Sequence, residues 1–275
     1  MKKNNVYTII ASDGIKLFVR DYVIPNSNKV VLFIHGLGEH SGRYLKLIQD
    51  FNDKDISVFT IDLRGHGKSE GKRGHSPSYK QLMNDIQYFI NYVTDKISNQ
   101  KYFLYGHSFG GNLVINYSLH KNKKIHGVIA TSPCIKPTVM PSRMKLFIGK
   151  VFQKFIPSFR LSNGIKISGI SKNSQVVKDY INDPLTHNKI SIQLSLDLIS
   201  SGIFALENSK YITIPMLVFH GANDKLTSYR ATKQLVENSG SNIKFIGFDD
   251  AYHEIHNELE KVEMLRNIFI WMNSI

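Results

Sequence analysis

A chain of 275 residues with 42% hydrophobic content can bury one large core without disulfides or metal. Cys134 is the only cysteine, which excludes an intrachain disulfide and a cysteine-rich metal site. The formal net charge of +13 favours anionic partners, yet no run of five basic residues occurs and lysines interleave with asparagines. Such spacing fits solvated surface charge and argues against a nucleic-acid site.

The opening Met1-Lys2-Lys3-Asn4-Asn5 is basic, but the stretch from Val6 to Ala11 is broken by Tyr7 and Thr8 and offers no signal-peptide core. No uncharged segment reaches the roughly 20 apolar residues that span a bilayer. The expectation is a cytoplasmic protein whose membrane contact, where it occurs, is peripheral.

Val6 to Ala11 and Ile15 to Ile24 read as two strands joined by the Ser12-Asp13-Gly14 turn. Strand and helix patterns then alternate. Lys29 to Ile34 is a buried-strand run, Ser41 to Phe51 is helix-like, and Ile56 to Ile61 is again a strand. Over Tyr79 to Ile97, Leu82, Ile86, Phe89, Ile90 and Val93 recur at helical spacing. A strand over 102–105, a helix over 110–120 and a strand from Ile125 to Thr131 follow. After residue 209 the pattern resumes with a strand at Met216 to His220, a helix at Ser228 to Asn238, a strand at Ile243 to Phe248 and a closing helix at Asn257 to Met272. This alternation predicts an α/β fold with a mostly parallel central sheet flanked by helices.

Between residues 134 and 209 the alternation stops and prolines appear at 137, 141, 157 and 184. This stretch is expected to be an inserted, largely helical cap on a core formed by 1–133 and 210–275. Met144, Phe147, Ile148, Val151, Phe152, Phe155 and Ile156 follow helical spacing, with Lys145, Lys150 and Lys154 mainly elsewhere on the surface. Such a basic amphipathic helix either packs on the core or meets lipid.

Gly106-His107-Ser108-Phe109-Gly110 lies between a strand pattern and a helix pattern. That context suits a nucleophile elbow, where a serine occupies a sharp turn and only glycine fits two residues to either side. A serine hydroxyl needs a base, and the base needs an orienting carboxylate. Asp224 and His253 each follow a later strand, in the order acid then histidine, at the carboxyl edge where Ser108 lies. Asp249, Asp250 and His256 are the competing assignments. His35 and His66 sit in glycine-rich loops, His187 in the cap, and His120 and His126 beside a surface turn. The developing oxyanion would meet the backbone N–H of Phe109 and, from His35-Gly36-Leu37-Gly38, that of Leu37.

Three blocks carry a family resemblance: 35–44 (His-Gly-Leu-Gly-Glu-His-Ser-Gly-Arg-Tyr), 62–71 (Asp-Leu-Arg-Gly-His-Gly-Lys-Ser-Glu-Gly) and 106–111 (Gly-His-Ser-Phe-Gly-Gly). They resemble the monoacylglycerol lipase and lysophospholipase branch of the α/β-hydrolase superfamily. Asn182-Asp183-Pro184-Leu185 is similar to bacterial members, while about 136–175 matches no recognisable pattern. The resemblance implies hydrolysis of a small lipid ester, most simply a monoacylglycerol, through an acyl-serine intermediate without cofactor or metal. It also places Arg43 and His107 near the polar headgroup pocket. Lysophospholipids, short-chain esters and acyl thioesters are alternative substrates, and a non-catalytic ligand receptor is the alternative of another class. Membrane contact would run through the cap toward anionic surfaces; oligomeric state is not encoded in these motifs.

Overall fold

The computed structural model describes residues 5–119 and 124–275. Ten strands and eight α-helices are described. In chain order they are β1 (Asn5–Ile10), β2 (Lys16–Tyr22), β3 (Lys29–Ile34), α1 (Leu45–Asn52), β4 (Ser57–Ile61), α2 (Tyr79–Lys96), β5 (Lys101–His107), α3 (Phe109–Ser118) and β6 (Ile125–Thr131). Then follow α4 (Arg143–Phe155), β7 (Arg160–Ser162), α5 (Ser174–Asn182), β8 (Lys189–Ser191), α6 (Ile192–Asn208), β9 (Met216–Gly221), α7 (Tyr229–Glu237), β10 (Ile243–Phe248) and α8 (Lys261–Ser274). His120 lies outside the described residues.

Eight strands form one sheet in the order β1-β2-β4-β3-β5-β6-β9-β10, parallel from β4 onward and closed at the other edge by the antiparallel β1–β2 hairpin. The β3 run shows why the interior strands read as continuous apolar stretches. Val30, Leu32 and Ile34 enter one core with α2, α3 and α6, whereas Val31 and Phe33 enter the other with α1 and α8. Parallel pairing brings the carboxyl ends of β3, β5, β6, β9 and β10 to one edge, which is where the loops bearing the candidate residues emerge.

The predicted alternation holds, with shifts at element ends. Residues 41–44 form a 3₁₀ turn ahead of α1, and 255–257 form another ahead of α8, so the closing helix begins later than its periodicity suggests. The segment 134–209 supplies α4, α5, α6 and the small β7–β8 ribbon. Helix α6 is not visible in the apolar spacing because it is apolar on several sides, and its buried residues include Leu194, Ser201, Ala205 and Leu206.

Helix α4 inverts the packed-helix alternative. Its contact face is Leu146, Gly149 and Gln153, with Gln153 donating to Gln193 of α6 at 3.1 Å and Gly149 backing onto Leu196. The apolar stripe lies on the opposite side at 100° per residue, and Met144, Phe147 and Phe155 are 67%, 65% and 77% exposed. Arg143, Lys150 and Lys154 run along one flank of that stripe and Lys145 along the other.

Candidate active site

Ser108 sits between β5 and α3 at φ 54° and ψ −112°, a backbone conformation that costs a non-glycine residue of order 1–3 kcal/mol. The turn is held by packing that admits no side chain on either flank. A Cβ on Gly106 would stand 2.2 Å from the carbonyl oxygen of Gly110, and one on Gly110 would stand 2.2 Å from that of Ile34. The Ser108 amide donates to the Thr131 carbonyl at 3.0 Å, and its carbonyl accepts from Asn112 and Cys134, at 3.0 and 2.9 Å. The result is a half-buried hydroxyl at the tip of the turn.

Asp224 follows β9 and His253 follows β10, and the two meet with Asp224 Oδ2 2.7 Å from His253 Nδ1. The same oxygen lies 3.1 Å from His220 Nε2 and accepts from the Thr227 hydroxyl at 2.8 Å; Oδ1 accepts from the amides of Leu226 and Thr227. Burial alone would raise the pKa of this carboxyl, but His253 and His220 override it and hold Asp224 well below the ordinary range. For His253 burial works downward, and Asp224 reverses it and lifts the imidazole above its ordinary value. His107 and His256 pack beside it, with ring centroids 4.7 Å from His107 to His253 and 5.1 Å from His107 to His256. Burial drives both well below the usual histidine range, reinforced at His107 by the charge of His253 and at His256 by that of Arg43 and then of His253. Of these three imidazoles only His253 is both paired to a carboxylate and raised in basicity. His256 rests on Tyr44, and both of its buried ring nitrogens lack a partner among the described residues.

The loop after β3 approaches the elbow at Gly36, where a Cβ would stand 3.3 Å from that of Ser108. Glu39 shapes it: its carboxylate accepts from the Gly36 amide at 2.5 Å, from the Tyr44 hydroxyl and from Arg43. No backbone acceptor among the described residues takes the amide of Leu37 or of Phe109. Phe109 opens α3, so its N–H is one of the helix's unpaired first-turn donors. Phe109 follows Ser108 directly, and the segment carrying Leu37 approaches the same turn through Gly36.

Arg43 and His107, expected near a headgroup pocket, both have partners inside the protein. Arg43 points inward, its side chain 10% exposed, clamped between Glu39 and Glu254 with its guanidinium 4.6 Å over the Tyr180 ring. Burial works to raise the pKa of Glu254, but Arg43 holds it below the ordinary range. His107 is buried, with Nδ1 3.1 Å from the Thr131 hydroxyl. Arg43 thereby links the loop carrying Glu39 to the one carrying Glu254, and His107 packs against His253. The motif residues around them have equally specific partners: His40 Nε2 lies 2.8 Å from Asp183 Oδ2, joining the β3 loop to the cap, and Asp62 accepts from the amides of Ser41 and Lys68. Supports that the sequence reading did not single out are Thr227, His220 and Ser132. Ser132 adopts φ 44° and donates to the His253 carbonyl at 2.7 Å. The Asp-x-x-Thr spacing at 224–227, typical of a side chain bonding its own turn, was the available signal for Thr227.

Asp249 and Asp250 stay at the end of β10, and the Asp249 carbonyl accepts from Asn223. Among the described residues there is no cluster of metal-ligating side chains.

A parallel sheet with a strained serine elbow and a paired acid and histidine on later loops defines the α/β-hydrolase fold and the serine hydrolase class. The family model described as serine aminopeptidase, S33, matches residues 25–260, and the chain belongs to that family. It is 30% identical over 271 residues to the monoglyceride lipase of Rattus norvegicus, covering 96% of this chain and 89% of that protein. The crystal structure of a monoacylglycerol lipase from Paleococcus ferrophilus shares 36% identity at a TM-score of 0.86, covering 94% of this chain and 98% of that one. An uncharacterized abhydrolase domain-containing protein of Dictyostelium discoideum is 38% identical over 277 residues; the chain aligns with 98% of its own length but only 29% of that longer protein.

Proposed function

We propose that this chain hydrolyses monoacylglycerols to fatty acid and glycerol through an acyl-serine intermediate. The observation that carries the reading is the strained, half-buried Ser108 at the carboxyl edge of β5, the sheet edge from which Asp224 and the imidazole it makes more basic also emerge. His253 takes the Ser108 proton as Oγ attacks the ester carbon, and the amides of Leu37 and Phe109 meet the oxyanion. The imidazolium, stabilised by Asp224, returns its proton to the departing glycerol oxygen. Water then attacks the acyl-serine with His253 again as base, releasing the fatty acid and restoring Ser108. Preorganised amides of this kind are worth roughly 10²–10³ in rate each.

The substrate class is carried by the similarity to monoacylglycerol lipases and by the outward apolar stripe of α4, which suits a peripheral protein collecting single-chain lipids from a membrane. Among the described residues no helix is long and apolar enough to cross a bilayer. The family description names peptidases, but Glu39 and Glu254 are both already engaged by Arg43, which leaves neither side chain free to capture an α-amino group.

The test is a hydrolysis panel of wild type and Ser108→Ala on monoacylglycerol, lysophosphatidylcholine, p-nitrophenyl esters and acyl-CoA of matched chain length. Serine-dependent preference for monoacylglycerol supports the reading. Preference for another ester keeps the mechanism and replaces the substrate, whereas undiminished turnover by Ser108→Ala removes both.

A further inference from the structure

Several basic side chains gather at the seam where loop 72–75 meets the cap. Gly74 lies against the Lys189 backbone, so that a Cβ would stand 2.0 Å from its carbonyl oxygen, and the Ser191 amide donates to the Gly74 carbonyl at 2.8 Å. In the β7–β8 ribbon Arg160 pairs with Ser191 and Ser162 with Lys189. Opposed residues, and those two apart, share a face, so Arg160 and Lys189 stand on the side of Ser191. That side looks onto the loop, because Ser191 Oγ is 2.9 Å from His75 Nδ1. Arg160 donates to the Arg73 carbonyl at 3.4 Å, and Lys72 to the Ser158 hydroxyl at 3.1 Å.

Lys72, Arg73, Arg160 and Lys189 therefore gather at one seam, and none of them takes part in an ion pair among the described residues. Nη1 of Arg73 is buried and meets no acceptor among the described residues. The field is felt nearby: burial first, then Lys72, Arg64 and Arg160, lower the pKa of His75, and Arg73 adds to the burial that brings His187 to about 4. Next to these cations in the chain stand the exposed side chains of Phe155, Ile156 and Phe159. Cations without internal partners next to solvent-facing aromatic and aliphatic groups are complementary to a surface that is anionic at its headgroups and apolar beneath.

We propose that Lys72, Arg73, Arg160 and Lys189 form a binding site for the phosphates of an anionic phospholipid bilayer, oriented so that the apolar stripe of α4 enters the same leaflet. The proposal rests on the membrane-contacting reading of the cap and adds to it a defined headgroup site and a preference for anionic lipid.

The experiment compares flotation with phosphatidylcholine vesicles and with vesicles containing phosphatidylglycerol, at low salt. The proteins are wild type, Lys72→Gln/Arg160→Gln/Lys189→Gln, and the charge-matched Lys46→Gln/Lys54→Gln/Lys244→Gln. Hydrolysis of a water-soluble p-nitrophenyl ester verifies that each is folded. Wild type is expected to gain affinity from phosphatidylglycerol. The seam variant is expected to lose that gain, by roughly fivefold per cation removed, and to keep its binding to phosphatidylcholine, while the charge-matched variant keeps most of the gain. Equal losses in both triple variants, a gain retained by the seam variant, or no gain in wild type overturns the proposal. Phe147→Ser/Phe155→Ser tests the parent reading separately. If it leaves phosphatidylcholine binding intact while the seam variant loses the anionic gain, the apolar contact fails and the headgroup site stands.

Discussion

Asp224 Oδ2 lies 2.7 Å from His253 Nδ1, and this contact reverses the effect of burial on the imidazole. As a base, His253 must be neutral, so kcat/KM should fall as pH drops through a pKa above the ordinary 6.5. In Asp224→Asn the burial contribution is left dominant and the acid limb should move to lower pH, with kcat reduced roughly 10³–10⁴-fold. A pH–rate profile of both proteins checks this; a limb that stays in place would remove His253 as the titrating base.

The same pair makes stability depend on pH. Asp224, with its pKa depressed, stabilises the fold above the unfolded carboxyl value of 3.8 and loses that contribution as pH falls through its folded value. His253, with its pKa raised, stabilises below 6.5 and loses that contribution as pH rises through its folded value. The stability gap between wild type and Asp224→Asn should therefore be widest from about pH 4 to 6.5 and narrow on either side. Urea melts across that range measure it.

Gly110→Ala places a methyl group 2.2 Å from the Ile34 carbonyl oxygen, where only backbone movement gives relief. A loss of at least about 3 kcal/mol is expected, or failure to fold. Gly240→Ala, with no atom within 4 Å of the new Cβ, is the matched control and should melt close to wild type.

Glu39 links the Gly36 amide, Tyr44 and Arg43, so its charge and its shape can be separated. Glu39→Gln retains an acceptor for Gly36 and leaves Arg43 paired to Glu254, and should cost about 1–3 kcal/mol. Glu39→Ala removes the acceptor as well, and its kcat should fall much further than its KM rises, because the Leu37 amide is no longer held in place. Equal kcat in the two variants would separate the Glu39 anchor from oxyanion stabilisation.

Phe147 and Phe155 are exposed, so Phe147→Ser/Phe155→Ser should change thermal stability by no more than about 0.5 kcal/mol. Activity on a water-soluble ester should be unchanged while activity on vesicle-borne monoacylglycerol falls at least tenfold, given ~1.5–3 kcal/mol for each phenylalanine buried in lipid. Parallel assays in solution and on vesicles distinguish this outcome from a folding defect.

Local spacing carries local geometry, and those parts of the protein were legible from residues alone. The doubly buried β3 run, the paired glycines around Ser108 and the order of acid and histidine on successive strand ends follow from period, sterics and topology. Chain order already favoured His253 over His256, and closure of the chain over 29 residues turns His253 onto Asp224. Closure likewise turned Arg43 inward to Glu254, 211 residues away, and tied His40 to Asp183, 143 residues away. The apolar period of α4 is the same whether that face meets protein or solvent, and the seating of Gly149 and Gln153 on α6 decided it. Such pairings depend on which surfaces remain uncovered once the rest of the chain has packed, a property of the whole molecule that no short stretch of sequence contains.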